Sequence, residues 1–154
     1  MIALVAAALL AGQSAGAPDL GEIDHAIESH RLEQARQMLG AAVASGESGG
    51  EVERLLADLA FAKGDWAEAA ARYAGLAAAA PGDGRSAERA AIASIMLGKL
   101  TEAGVFADKA IASGNASWKA WNAKGVLCDF NADWTCADEA FAAAAKMKPD
   151  EPEQ

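Results

Sequence analysis

A pattern of small, apolar and alanine positions returns every 34 residues along the chain. It reads GDWAEA from Gly64 and ADWTCA from Ala132, with intermediate copies GKLTEA from Gly98 and HRLEQA from His30. Four matches at one spacing predict four copies of one supersecondary unit. Each unit is predicted to be a helix, a short turn and a second, antiparallel helix. We call these helix A and helix B.

This frame predicts units at 16–49, 50–83, 84–117 and 118–151, followed by a tail at 152–154. Where helices A and B cross, their backbones approach closely, and a bulky side chain would overpack the crossing at a cost of about 1–3 kcal/mol. The residues predicted to meet there are Ala57 with Ala69, Ala91 with Ala103, and Gly125 with Ala137. A single hairpin cannot bury its apolar face alone, so stacking of the units makes the core.

The residues at these positions resemble the tetratricopeptide repeat (TPR) family. The last unit carries the family's pattern in Trp121, Gly125, Ala137, Phe141, Ala144 and Pro149. Unit two carries it in Ala57, Ala69, Tyr73, Leu76 and Pro81, and unit three in Ala91, Ala103, Ala107 and Ala110. The resemblance implies an all-α fold, a right-handed α-solenoid of four hairpins over residues 18–151. It also implies a scaffold that binds a protein or peptide and is not an enzyme.

A narrower resemblance lies in helix A of the last unit. The stretch from Trp121 to Asp129 is similar to TPR proteins of tight-adherence (Flp-type) pilus assembly. It implies an exported assembly factor for a pilus or a secretion apparatus. Two alternatives stay open: a periplasmic, chaperone-like adaptor for another envelope pathway, and a tethering subunit of an enzyme complex.

Composition and charge narrow the range of partners. Hydrophobic residues make up 53% of the chain, much of it alanine, and only 6% is aromatic. Alanine favours helices, whereas strands need the β-branched and aromatic residues that are sparse here. Thirteen basic against 22 acidic residues give a net charge of −9. Nucleic acids and anionic membrane surfaces repel such a chain, so we expect no nucleic-acid partner.

Residues 1–17 have the character of an export signal. An apolar run from Ile2 to Ala11 has the length of a signal core and is too short to span a bilayer. Small residues follow, and Ala15 and Ala17 form an A-x-A cleavage pattern. The sequence therefore predicts a periplasmic or secreted protein whose mature chain is not inserted in a membrane. The alternative is a buried first helix in a cytoplasmic protein.

The resemblance implies that helix A of each unit lines a concave face. The predicted peptide-binding residues on this face of units three and four are Arg85, Glu88, Ile92, Ile95, Met96, Lys119, Asn122, Val126, Asp129 and Phe130. Their middle part is apolar, and exposed apolar patches beside a polar rim mark interaction sites. We therefore expect an apolar peptide segment to bind there. The alternative is that some of these side chains pack inside the array.

Cys128 and Cys136 are equidistant from Ala132 at the predicted turn, so they lie at similar height on facing helices. This placement predicts Cα atoms within disulfide range, and an oxidising compartment would allow the bridge. Two buried free thiols are the alternative. Two cysteines without a nearby histidine give no metal-ligand set, and no catalytic constellation is visible, so we expect neither metal nor cofactor. Few residues follow helix B of unit four, and its open edge is a candidate contact with a second copy.

Overall fold

A computed structural model describes residues 18–147, and these residues form α-helices without a strand. The eight helices are α1 (Leu20–Glu28), α2 (Leu32–Ala44), α3 (Gly50–Lys63), α4 (Trp66–Ala79), α5 (Gly84–Met96), α6 (Leu100–Ala112), α7 (Trp118–Phe130) and α8 (Trp134–Met147). The predicted all-α fold is confirmed. The predicted export signal at 1–17, the unit-closing Pro149 and the tail at 152–154 lie outside the described residues.

The helices pair as four consecutive hairpins that stack on one another. Helices α1 and α2, α3 and α4, α5 and α6, and α7 and α8 form the pairs, one pair in each 34-residue unit. Between units, helix B packs against the next helix A, as α4 does against α5 and α6 against α7. Successive helices A also touch, as α5 and α7 do. This order makes an α-solenoid in which helices A form one continuous side.

The turn inside each hairpin has the same backbone conformation. His30, Gly64, Gly98 and Ala132 have φ values of 57°, 76°, 72° and 58°, and each lies 34 residues from the next. The positive φ reverses the chain within two residues of the end of helix A. Helix B begins two residues after the turn residue, and the residue between them is the N-cap of helix B.

Small residues fill the crossings of the hairpins. Ala57, Ala69, Ala91 and Ala103 are all fully buried, as the pattern predicts. The aromatic ring of Tyr73 is also buried, at 1% exposure, between α4 and its neighbours. The core is therefore built mainly from alanine contacts between closely spaced helices, with a few large side chains between units.

The last hairpin is packed differently from the others. Phe141, the unit-four equivalent of Tyr73, is 37% exposed and rests on Gly125. A Cβ atom added to Gly125 would lie 2.5 Å from the Cε1 atom of Phe141, so only glycine lets the ring approach this closely. No helix among residues 18–147 is long and apolar enough to cross a membrane.

Candidate protein-binding surface

A concave furrow runs between helix A of unit three, α5, and helix A of unit four, α7. Its volume is about 270 Å³. The residues that line the furrow are Ile92, Ile95, Met96, Trp118, Lys119, Asn122, Ala123 and Val126. Six of these belong to the ten residues that the sequence predicts for the peptide-binding face. The structure therefore brings together most of the predicted set at one place.

Helical spacing explains why these side chains share one surface. On α5, Ile92, Ile95 and Met96 stand at i, i+3 and i+4, which places them on one face of the helix. On α7, Lys119, Asn122, Ala123 and Val126 follow the same rule. Because α5 and α7 lie side by side, the two faces form the walls of one furrow.

The furrow is apolar and open to solvent. Met96 is 56% exposed and Val126 is 39% exposed, so large apolar side chains face water there. Ile95 is partly buried because it packs on the cluster that contains Leu127. Lys119 and Asn122 supply a polar rim. Apolar surface with a polar border is typical of places where another molecule binds.

Four predicted binding residues lie elsewhere. Glu88 is buried. Its Oε2 atom accepts hydrogen bonds from the backbone N–H of Ser117 at 3.0 Å and from the Ser117 hydroxyl at 2.8 Å. Its carboxylate therefore joins α5 to the start of unit four, and little of it is exposed to a ligand. Asp129 and Phe130 are exposed at the end of α7 but do not line the furrow. Phe130 is 70% exposed.

Arg85, the fourth of these predicted binding residues, lines a separate hollow of about 390 Å³ that is formed by residues of units one to three. Eight of the nine residues that line this hollow occupy repeat positions that also line the furrow, one or two units further along the chain; the exception is His30. Its residues are Asp24, Ile27, Glu28, His30, Asp58, Phe61, Ala62, Arg85 and Arg89. The concave side therefore carries a charged hollow towards the N-terminal end of the stack and an apolar furrow towards the C-terminal end.

A network around Asp58 occupies the charged hollow. Asp58 is 7% exposed and accepts hydrogen bonds from the Tyr73 hydroxyl, from Nη1 of Arg54 at 2.8 Å, and from Nη2 of Arg85 at 3.3 Å. Burial, together with the Asp58 carboxylate, raises the pKa of Tyr73 well above its usual range. Arg54 also binds Asp24 at 3.2 Å. The charges in this network are satisfied within the chain, which indicates a structural role.

The sequence did not identify several residues of this face. Trp118 and Ala123 line the furrow, and Arg89 lies over the Phe61 ring with 4.5 Å between its Cζ atom and the ring centroid. The repeat frame contains the signal for Ala123, because it occupies the position that Arg89 has in unit three. A small residue there leaves room that a long side chain fills in the preceding unit.

The two cysteines lie on facing helices beside the furrow. Cys128 in α7 and Cys136 in α8 form a disulfide with Cα atoms 5.7 Å apart. This separation is typical of disulfides. The oxidised state in the native protein stays a prediction that depends on the compartment. Among residues 18–147, no three or more His, Cys, Asp and Glu side chains are grouped so that they could hold a metal ion.

The stacked hairpins, the shared turn and the concave row of helices A define a helical-repeat solenoid. A tetratricopeptide repeat protein from Parabacteroides merdae has a similar structure, with a TM-score of 0.67 and 17% sequence identity. The match covers 86% of this chain and 52% of the other, so this chain spans about half the length of that protein. The chain therefore has a TPR-like fold, as the sequence predicts. No protein-family profile matches the chain, and no curated protein matches it.

Proposed function

We propose that the protein is a non-catalytic scaffold that holds an apolar segment of a partner protein in the furrow between α5 and α7. The observation that carries the proposal is the cluster of exposed Met96 and Val126 with half-buried Ile92 and Ile95 in a concave surface. Burial of apolar surface contributes about 25 cal/mol per Å², so covering this cluster favours binding.

A pull-down with matched variants tests this function. Met96→Glu with Val126→Glu places two charges in the furrow at side chains that are already exposed, so the fold is expected to survive. Val105→Glu is the control, because Val105 is 52% exposed on α6 and lies outside the furrow. We expect the double variant to lose the partners that the wild type and the control retain. A folded double variant that keeps the same partners would contradict the proposal.

The pathway is proposed on the narrower sequence resemblance. The stretch from Trp121 to Asp129, together with the signal-like residues 1–17, supports an exported assembly factor for a pilus or secretion apparatus. A periplasmic adaptor of another envelope pathway and a tethering subunit are the alternatives. Cell fractionation, with the mature N-terminus read by mass spectrometry, tests export. We expect a chain in the periplasm or medium that begins near residue 17 or 18, whereas an uncleaved cytoplasmic chain would contradict export.

A second copy of the chain is a further proposed partner, through helix α8. Trp134 is 62% exposed and Phe141 is 37% exposed on this helix. Sedimentation equilibrium over a range of concentrations tests the contact. Association that Phe141→Glu removes is the expected result, and a monomer at all concentrations would contradict it.

A further inference from the structure

We propose that the occupant of the furrow is an amphipathic α-helix rather than an extended peptide, with its apolar stripe flanked by charges of opposite sign. The inference rests on the proposed function of the furrow and specifies the class of partner. It follows from three properties: the backbone groups in the walls of the furrow are already hydrogen-bonded, the furrow has the length of a short helix, and charged side chains of opposite sign lie towards the two ends of α7.

The walls of the furrow are helices, and this restricts what a ligand backbone can contact. The main-chain groups inside α5 and α7 bond within their own helices, so side chains form most of the surface. The polar side chains that line the furrow are Lys119, Asn122 and the indole of Trp118. The rest of the lining is aliphatic or thioether. The furrow therefore offers few partners for the N–H and C=O groups of a bound chain.

An extended segment would lose hydrogen bonds in such a place. Its backbone groups that face Ile92 and Val126 would leave water without gaining a partner, and each such group carries the full cost of desolvation. A helical segment carries its backbone hydrogen bonds with it and presents only side chains. Helix-in-groove binding is the recognition mode that needs no backbone partners from the receptor. The chemistry of the walls therefore selects a helix.

The dimensions of the furrow fit the apolar face of a short helix. The lining of α7 runs from Trp118 to Val126, about 12 Å at a rise of 1.5 Å per residue. Packed helices lie about 8–10 Å apart, and a third helix that lies over the groove formed by α5 and α7 would keep similar distances to both. Two to three turns of ligand, with apolar residues at i, i+3, i+4 and i+7, would cover this length.

Opposite charges lie towards the two ends of α7, with Lys119 in the lining of the furrow and Asp129 beyond it along the helix. Lys119 is near the start of α7, with its Nζ atom 5.8 Å from the Trp118 ring centroid, and Asp129 is near the end of the same helix. Neither forms an ion pair with a side chain in residues 18–147. Ten residues of helix separate them by about 15 Å. A ligand with one acidic and one basic flank would complement both charges.

Peptide display distinguishes the two kinds of occupant. Two libraries of 16-residue peptides have equal composition and differ only in apolar spacing, one at i, i+3, i+4, i+7 and one at every second residue. Clones are selected on the wild type and then tested on the double variant Met96→Glu with Val126→Glu. A clone is called furrow-dependent when the double variant binds it at least about ten-fold more weakly, which corresponds to about 1.4 kcal/mol. We expect these clones to come from the helical library and a central proline to abolish their binding.

The outcomes separate the inference from the proposed function. Furrow-dependent clones drawn mainly from the alternating library would overturn the helical occupant and leave the furrow as the binding surface. The absence of furrow-dependent clones from both libraries would overturn the proposed function itself. Val105→Glu is the control and is expected to leave the affinity of every selected clone unchanged.

A charge exchange tests the flanks. Selection from the helical library on the Lys119→Glu and Asp129→Lys double variant should reverse which end of the enriched peptides is acidic. Lys146→Glu with Asp108→Lys, on α8 and α6 away from the furrow, changes the charges equally and should leave that polarity as in the wild type. Enriched peptides without any charge polarity, or with the same polarity on both receptors, would contradict this part of the inference.

Discussion

Ala132 stands in a backbone conformation that L-residues rarely adopt. Its φ is 58°, and the left-handed region costs an L-residue about 1–2 kcal/mol. Units two and three place Gly64 and Gly98 at the same position, where the conformation carries no such cost. The turn is fixed by the hairpin geometry, so the residue at this position changes the stability and not the fold.

Exchanging the residues at this turn should therefore shift stability in opposite directions. Ala132→Gly is expected to raise the free energy of unfolding by roughly 1 kcal/mol, and Gly98→Ala to lower it by at least as much. Urea denaturation followed by circular dichroism measures both. The expectation fails if both substitutions change stability in the same direction.

Tyr73 and Asp58 form a hydrogen-bonded pair in unit two. At the same two positions unit three has Ala107 and Ile92, and unit four has Phe141 and Val126. Only unit two has both a tyrosine and a carboxylate at these positions, because unit one has Leu39 with Asp24. The repeat frame does not predict this pairing, because an aspartate occurs at this position without a tyrosine in unit one, and the structure shows the hydrogen bond.

Removing the Tyr73 hydroxyl tests how much its hydrogen bond to Asp58 contributes to the free energy of unfolding. Tyr73→Phe should destabilise the protein by about 1–2 kcal/mol, since the buried Asp58 carboxylate loses a donor while Arg54 keeps another. The midpoint of urea denaturation gives the change. An unaltered midpoint would show that Arg54 and Arg85 satisfy Asp58 without the tyrosine.

At the scale of elements, α8 is held differently from the other helices B. Helices α4 and α6 each pack against two neighbouring helices A, whereas the substantial helix contacts of α8 are with α7. The Cys128–Cys136 disulfide joins these two helices across their turn. The bridge therefore joins α8 to the helix that provides its main contacts.

Loss of the bridge should loosen this hairpin. For a loop of this length, the chain-entropy estimate gives a destabilisation of about 2–3 kcal/mol for Cys128→Ser with Cys136→Ser. Mass spectrometry of the native protein should first show a mass two hydrogens below that of the reduced chain. An unchanged mass on reduction would mean that the thiols are free in the native protein.

The elements were predictable from sequence to a much larger extent than the contacts between them. The 34-residue period locates the hairpins, because turn residues and small crossing residues recur at fixed offsets. The same period placed Glu88 on the concave face, yet the structure buries it. Its partner Ser117 lies 29 residues away in the connection to unit four. A helical period predicts the direction in which a side chain points, but it does not predict which distant residues pack over that side chain.

At the scale of the whole molecule, the concave side changes from charged to apolar along the stack. The ninth position of successive units is Asp24, Asp58, Ile92 and Val126. The first two belong to the charged hollow, and the last two line the furrow. One backbone arrangement thus carries two surfaces, and their chemistry is set by a few side chains at equivalent positions.

Photo-crosslinking in the producing cell tests most directly whether the furrow is the surface that binds. A crosslinking amino acid replaces Met96 or Val126 in the furrow, and Val43 or Val105 as exposed apolar positions outside it. If the furrow is the binding surface, we expect one partner protein to be crosslinked at both furrow positions and at neither control position. A partner joined at Val43 or Val105, with none at Met96 or Val126, would contradict it.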